Sequence, residues 1–487
     1  MSDIAILSAE NSSLMNSALQ GSGGADNDAL VYTMGAPMPN HFRSRDNKSQ
    51  ILGAAMGGNT FQVEVPAYGN WKSAYLRWNV DWKPGTDNCT SAVAANMGCA
   101  MIKRVSVLSN SRTLFSLTGQ QIHYLIQSEK DDQKRAGWKR ASKDNVKQNC
   151  RSSTAGTAGV GCPPRFATSP HVQNTGYIAT DSEVAVVADI YTPLPFSMFN
   201  SLKTMLPTDF CEKLIVEIET NDHWRVVSGG TAGSATALVT DFNVNSCYLC
   251  SEFLVINSDD KKKIQEKNFS LGGSPLAMLL TDWKTTSKQV AGEATRTTAS
   301  LNVFFTELMA GMLIYVEPQR TAGLVAAVGE TGKSATQTAA LSVYANQVLD
   351  RGVNGVNVEH TYAHIEKVSI TAGGRKIAEF LHDELLYLHG ARPSGLYITE
   401  GKETAEECDA FGNSSNNMYY INFANTHKLD QISGALALRS LNSVVVEVVF
   451  QSTNTASLKY NVNACMQYFK AIQIDGSSGA IATALSN

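Results

Sequence analysis

The chemically most suggestive residues lie in GLVAAVGETGKSATQTAALSVYANQVL, Gly323 to Leu349. An apolar run, Leu324 to Val328, leads into AVGETGKS. This fits a phosphate-binding loop with Ala327 in place of the first glycine and Gly332, Lys333 and Ser334 closing it. Such a loop aims backbone N–H groups at phosphates from a helix N-terminus, with the lysine on the terminal phosphate. It also needs an α/β sheet and a second, acidic strand to hold the metal. Neither follows. The nearest acid, Asp350 in LSVYANQVLD, would sit inside the first helix, and alternating βα units are absent. The stretch reads as a surface excursion between strands, with a P-loop NTPase as the remote alternative.

The other groupings are weaker. Cys247 and Cys250 form a lone Cys-x-x-Cys; in a strand an offset of three puts them on opposite faces, and no partner pair exists. His360 and His364 in HTYAH lack a third ligand. Glu217 and Glu447 occupy equivalent places in alternating strands and read as solvent- or neighbour-facing. Arg112 and Arg375 each follow a turn, where a structural salt bridge and a contact with a neighbouring subunit are both open. Asp259 to Lys263 (DDKKK) reads as a solvated helix start with its acids at the N-terminus. No Ser-His-Asp or Cys-His arrangement emerges from the spacing. The expectation is therefore no enzyme, no catalytic residue, no metal and no cofactor.

The elements around these residues are mostly strands. Alternating segments recur from Phe61 onward, in FQVEVPAYGNWKSAYLRWNVDW, EVAVVADIYTPLPF, EKLIVEIET and ATALVTDFNVNSCYLCSEFLVI. Helical periodicity is confined to Gln120–Lys130, Asp259–Lys267 and the segment after the suspect loop. The chain has 487 residues, 43% hydrophobic and 17% charged, with 44 acidic and 40 basic side chains. A body so nearly neutral lacks the concentrated positive charge that nucleic acid demands. The N-terminus has neither a basic n-region nor a continuous apolar core, which argues against a signal peptide. Val303–Val316 is broken by Glu307 and too short to span a bilayer. Scattered cysteines without framework spacing suggest reduced thiols in an intracellular setting.

An internal repeat organises the strands. IKRVSVLSNSRTLFSLTGQQIHYL (Ile102–Leu125) aligns without gaps on IEKVSITAGGRKIAEFLHDELLYL (Ile365–Leu388). LIVEIET at Leu214 then pairs with VVVEVVF at Val444, and FNVNSC at Phe242 with YNVNAC at Tyr460, which equates Cys247 with Cys465 as small core residues. Three matches in one order mean a duplicated β-sandwich, with a Ser/Gly-rich excursion (Asn149–Gly176) inserted in the first half.

Four segments resemble the double jelly-roll major capsid proteins of the lineage that includes adenoviruses, tailless membrane-containing phages, virophages and large nucleocytoplasmic DNA viruses. IYTPLPFSMFNSLKTMLPTDFCEKLIVEIE (Ile190–Glu219) is similar to the family's Pro-Leu-Pro-Phe strand and its successor; CSEFLVINSDDKKKIQEK (Cys250–Lys267) to the linker helix; LNVFFTELMAGMLIYVEPQ (Leu301–Gln319) to the start of the second roll; and YYINFANTHKLDQISGALALRS (Tyr419–Ser440) to the late Phe…Ser-Gly…Ser signature. The structural signature is thus Arg112, Pro193, Pro195, Phe196, Gly373, Gly374, Arg375, Phe423, Ser433 and Gly434. Two departures stand out: the Gly-Gly hairpin sits in the second roll, where the first has SNS, and Ser197 replaces an aromatic.

The resemblance implies an all-β fold of two tandem eight-stranded jelly rolls with long loops and a few short helices. Its expected divisions are a flexible N-terminal arm (1–50), a first roll (51–256), a linker with a short helix (257–292), a second roll (293–475) and a C-terminal tail (476–487). It implies homotrimeric, pseudo-hexagonal capsomers in an icosahedral shell, contacts with minor capsid and penton proteins, an internal membrane reached by the arm, and a place in the virion without sequence-specific nucleic-acid contacts. The loops Asn149–Gly176 and Arg320–Gly355 would project outward or join capsomers. A duplicated lectin-like β-sandwich is the alternative. It would need an exposed aromatic platform or a calcium-type Asp/Asn cluster, and neither is read from the sequence.

Overall fold

Alternation of apolar and polar side chains sets the central strands. Leu214–Thr220 (LIVEIET) and Val444–Gln451 (VVVEVVFQ) both bury every second side chain along one face. The computed structural model describes residues 42–51, 58–84, 90–93, 97–127, 186–200, 206–221, 227–230, 240–255, 276–293, 295–304, 307–320, 365–382, 418–423, 434–437, 444–452, 458–475 and 479–485, with isolated positions at 133–134, 137–138, 141, 261–262, 266, 363 and 384–385.

In the first half the strands are β1 (Phe42–Ile51), β2 (Thr60–Glu64), β3 (Asn70–Pro84), β4 (Thr90–Val93), β5 (Ile102–Ser109) and β6 (Arg112–Thr118), with helices α1 (Met97–Ala100) and α2 (Gly119–Gln127). Then come β7 (Val186–Pro193), helix α3 (Ser197–Asn200), β8 (Leu206–Pro207), β9 (Leu214–Thr220), β10 (Val227–Gly230) and β11 (Thr240–Val255). The second half holds β12 (Leu276–Ala291), β13 (Arg296–Val303), β14 (Leu308–Arg320), β15 (Ile365–Ala372), β16 (Arg375–Leu381) and β17 (Met418–Asn422). It ends with β18 (Leu436–Ala437), β19 (Val444–Gln451), β20 (Leu458–Ile474) and β21 (Ile481–Leu485).

The sheets are β1-β11-β3-β7 and β2-β9-β5-β6 in the first half, and β12-β20-β14-β17 and β13-β19-β15-β16 in the second. Counting the eight main strands of each half in chain order, both halves have sheets ordered 1-8-3-6 and 2-7-4-5. That is the jelly-roll order, all antiparallel, occurring twice. Short β8 and β18 pair beside β3 and β14, and β4 pairs with β10. Each roll encloses an apolar core, around Trp71, Leu76 and Trp78 in the first and Met312, Val446 and Phe450 in the second.

All three repeated blocks fall on equivalent strands: β5 with β15, β9 with β19 and β11 with β20. Register agrees as well, since Ser106 lies opposite Glu217 and Ser369 opposite Glu447. Pairing extends further than the sequence divisions. β1 begins at Phe42, inside the stretch assigned to the arm, and β12 occupies residues assigned to the linker. β12 pairs with β20 along its whole length; Thr281 and Asp282 are buried, and the polar residues from Lys284 onward are half-buried or exposed. β21 lies in the segment assigned to the tail and pairs with the end of β20.

The two equivalent hairpins share one turn conformation despite unlike residues. Asn110 and Ser111 (φ 45° and 66°) match Gly373 and Gly374 (φ 54° and 76°), the paired left-handed geometry of a type I′ turn. The shape is kept where the glycines are not. A bulge is kept as well: the register leaves Leu114 unopposed in β6 and its counterpart Ile377 unopposed in β16. A left-handed serine carries a steric cost that glycine lacks. Ser111→Gly is therefore expected to raise stability by about 1 kcal/mol and Gly374→Val to lower it by at least as much. Both shifts are readable as the urea midpoint of unfolding.

Candidate functional site

The described residues contain no group of three or more His, Cys, Asp or Glu side chains able to hold a metal. The suspect loop, His360, His364 and Ser433 lie outside the described residues, as do the excursions Asn149–Gly176 and 321–355. Cys99, Cys211, Cys247, Cys250 and Cys465 are free thiols. Burial pushes the thiols of Cys211, Cys247 and Cys465 up, away from the thiolate form that reactive cysteines use. Polar chemistry concentrates elsewhere, along the seam where the two rolls meet.

An unpaired strand edge explains the first part of that seam. β6 is the last strand of its sheet, so backbone groups on its far side need partners. The second roll supplies them. Lys470, on β20, donates from Nζ to the carbonyl of Leu114 (2.5 Å) and to Asp282 Oδ2 (3.1 Å), and its ammonium lies 5.7 Å from the Phe115 ring centroid. Asp282, on β12, accepts the Ser116 N–H at 3.5 Å, the Trp283 N–H at 2.9 Å and the Tyr468 hydroxyl at 3.3 Å. The side chains of Lys470 and Asp282 are only 6% and 8% exposed. Burial pushes the Asp282 carboxyl up, and the Lys470 ammonium counters that in part.

Helix α2 supplies the second part. Its start is a capping box: the Thr118 N–H donates to Gln121 Oε1 (2.9 Å), and the Gln121 N–H donates to Thr118 Oγ1 (3.3 Å). Gln121 then reaches the second roll, donating from Nε2 to Thr285 Oγ1 (3.2 Å), whose hydroxyl faces Cys465 Sγ at 3.3 Å. One turn on, Tyr124 stacks on Tyr420 (5.7 Å between centroids, 16° between planes) and meets Trp283 edge-on. The Tyr420 hydroxyl donates to Gln467 Oε1 at 2.6 Å. Gly311 makes room for it, since a Cβ there would lie 2.1 Å from that hydroxyl oxygen.

The Pro-Leu-Pro-Phe segment forms the third part. Pro193 ends β7, the outer strand of its sheet, as its missing donor requires. Pro195, Phe196 and Ser197 line a void of ≈ 10 Å³ together with Thr281, Asp282, Trp283 and Gln467, a space on the order of one water. Ser197, the departure from the aromatic, donates its hydroxyl to the Thr281 carbonyl at 2.5 Å and so ties the first roll to β12.

At the far end of β20 the C-terminal turn folds back on the first roll. The Glu212 N–H donates to the Gly479 carbonyl (3.0 Å), and Glu212 Oε1 accepts the Ile481 N–H (3.1 Å). The Asn110 side-chain amide donates to the other Glu212 oxygen, which links the β5–β6 turn to the same carboxylate. Ile481 is buried in the first roll's apolar cluster with Met278, Leu280, Ile472 and Ile474.

Of the signature residues that are described, Pro195 and Phe196 line the seam. Arg112 and Arg375 are exposed at equivalent turns and form no ion pair among the described residues. Gly373 and Gly374 make their turn. Phe423 packs at the margin of the second core, and Gly434 takes φ 137° before β18. Glu217 accepts from Gln62 at 2.8 Å and stays half-buried on the outer face, as does Glu447. The equation of Cys247 with Cys465 needs correction. Both are fully buried, but a bulge at Asn245 flips the face of β11, so Cys247 enters the first roll's core. Unbulged β20 instead turns Cys465 outward to the seam, beside Tyr124 and Tyr420. Asp282, Lys470, Trp283 and Tyr420 were not singled out by sequence, although the Thr118-x-x-Gln121 box was readable.

Removing one member of a buried ion pair strands the other. Lys470→Met is expected to cost about 3–5 kcal/mol, and the double change Lys470→Met with Asp282→Leu to recover much of that loss. A urea titration of the three proteins measures this.

No protein-family model matches the chain, and no curated protein matches it in sequence. Solved structures do match. The PBCV-1 virus capsid aligns over 93% of this chain and 99% of its own, at 12% identity and TM-score 0.58. PBCV-1 VP54, fitted into the virophage Sputnik, aligns over the same shares at 11% and 0.57. The Faustovirus major capsid protein covers 96% and 98%, at 11% and 0.54. Two jelly rolls in tandem, sealed along a buried seam, give this chain the double jelly-roll fold that it shares with viral capsid proteins.

Proposed function

We propose that the chain is a viral major capsid protein, a structural component of the virion without catalytic activity. The observation that carries this reading is the shared plan. Both rolls lie in one chain in the same order as in capsid proteins, and the alignment takes in 93–96% of this chain and 98–99% of theirs. The sequences have only about 11% identity, while the order of the two rolls is kept.

The mechanism is surface complementarity. The buried seam makes two sandwiches behave as one thick block, and a block is what a shell repeats. Three copies around a three-fold axis place six rolls in a ring, a pseudo-hexagonal homotrimer that tiles an icosahedral surface. The residues before β1 supply the arm that reaches minor capsid proteins, penton proteins or an internal membrane. The chain is assembled inside the host cell, and no sequence-specific nucleic-acid contact is needed for such a role.

Light scattering on a sizing column tests this directly. The purified 52.5 kDa chain is expected to run at three times its mass, with hexagonal tiles in negative-stain micrographs. A monomer at every concentration up to the millimolar range would count against capsomer formation.

A further inference from the structure

The duplication shows, inside one molecule, what the outer edge of a roll requires. In the first roll that edge is β6, and it is closed. The bulged Leu114 is 0% exposed, its carbonyl is taken by Lys470, and the Ser116 N–H faces Asp282. The covering surface is the β12–β20 margin, formed by the first and eighth strands of the following roll.

In the second roll the same edge is β16, the last strand of β13-β19-β15-β16. It carries the same bulge at the same aligned position, and nothing among the described residues covers it. Ile377, the counterpart of buried Leu114, is 44% exposed. Leu381, the counterpart of Thr118, is 53% exposed. They are two of the four large apolar side chains exposed among the described residues, and they project from one strand four residues apart. Between them Glu379 is bonded to Lys376 and Lys367, which hold its carboxyl below the usual range. An apolar pair with a satisfied polar rim on an open strand edge has the anatomy of an interface.

We infer that the outer edge of β16, through Ile377 and Leu381, is a docking surface for a second copy of this chain, covered by the β1–β11 margin of that copy's first roll. The occupant follows from the fold. β1 and β11 are the first and eighth strands of the first roll, paired as β12 and β20 are in the second. The margin that closes β6 within the chain has its only equivalent there. Among the described residues each copy then offers one open edge and one margin of the kind that closes β6, a head-to-tail contact that closes into a ring when the rotation permits. This rests on the capsomer reading above and names the contact that would build it.

The test compares the full chain with Ile377→Asp, Leu381→Asp and the double variant by light scattering across a concentration series. The wild type is expected to associate, and the double variant to associate at least about 100-fold more weakly, because each change places a charge in a desolvated contact. The far-ultraviolet circular dichroism of the isolated chain should be unchanged, since both positions face solvent. A double variant that assembles like the wild type would overturn this docking surface and leave the capsomer reading intact. A wild type that never associates would sink both. Should the variants fail to fold, hydrogen exchange on the wild type decides: the amides of residues 376–381 should slow on going from dilute monomer to oligomer. Unchanged exchange there would refute the assignment.

Discussion

A strand at the edge of a sheet presents backbone donors and acceptors that must be satisfied or left to water, and in this chain β6 is such an edge, buried. Its closure by Lys470 and Asp282 conditions the rest. The pair comes from the first and eighth strands of the other roll, so the two sandwiches have to meet at one angle and one height. The desolvation of two charges is offset only where the backbone of β6 completes their hydrogen bonding. A mispositioned second roll would leave an ammonium and a carboxylate without partners in an apolar setting. The seam is thus specific as well as adhesive, and the aromatic stack of Tyr124 with Tyr420 adds apolar area beside it.

Duplication supplied two copies of one plan, and the seam then drew them apart. Where the rolls do the same work they stay alike: the serine–glutamate register across β5–β9 and β15–β19, the turn geometry, the bulge. Where only one copy faces the seam they differ. Leu114 is covered and Ile377 is open. Cys247 looks inward and Cys465 looks across, through one extra residue in β11. Ser197 gives its hydroxyl to a hydrogen bond with the neighbouring roll.

Much of the fold was legible because it rests on local patterns. Alternation in LIVEIET and VVVEVVF marks half-buried strands, and the repeat of three short blocks marks two equivalent domains. Boundaries were less legible. β12 carries a polar half that reads as linker, and only its pairing with β20, nearly two hundred residues later in the chain, makes it a strand. The seam was the least legible part. Asp282 and Lys470 look like ordinary surface charges in sequence, since their burial depends on a strand edge from the other half of the chain. The bulge at Asn245 also defeats parity counting, because FNVNSC and YNVNAC are nearly the same string while their cysteines face opposite ways. The phosphate-loop pattern is the converse case, a local string without the surrounding sheet that would give it meaning.

The C-terminal turn carries one more consequence, in the order of events during synthesis. Glu212 is made early and waits for Gly479 and Ile481, and Leu114 waits for Lys470. The first roll can form as soon as β11 has emerged, but its union with the second waits for β20 and the turn that follows it. Until β20 and β21 have emerged the two halves remain separable, and the joined block forms only after both. A chain interrupted before β20 would therefore hold a first roll with its β6 edge uncovered and no joined block to present to a neighbour.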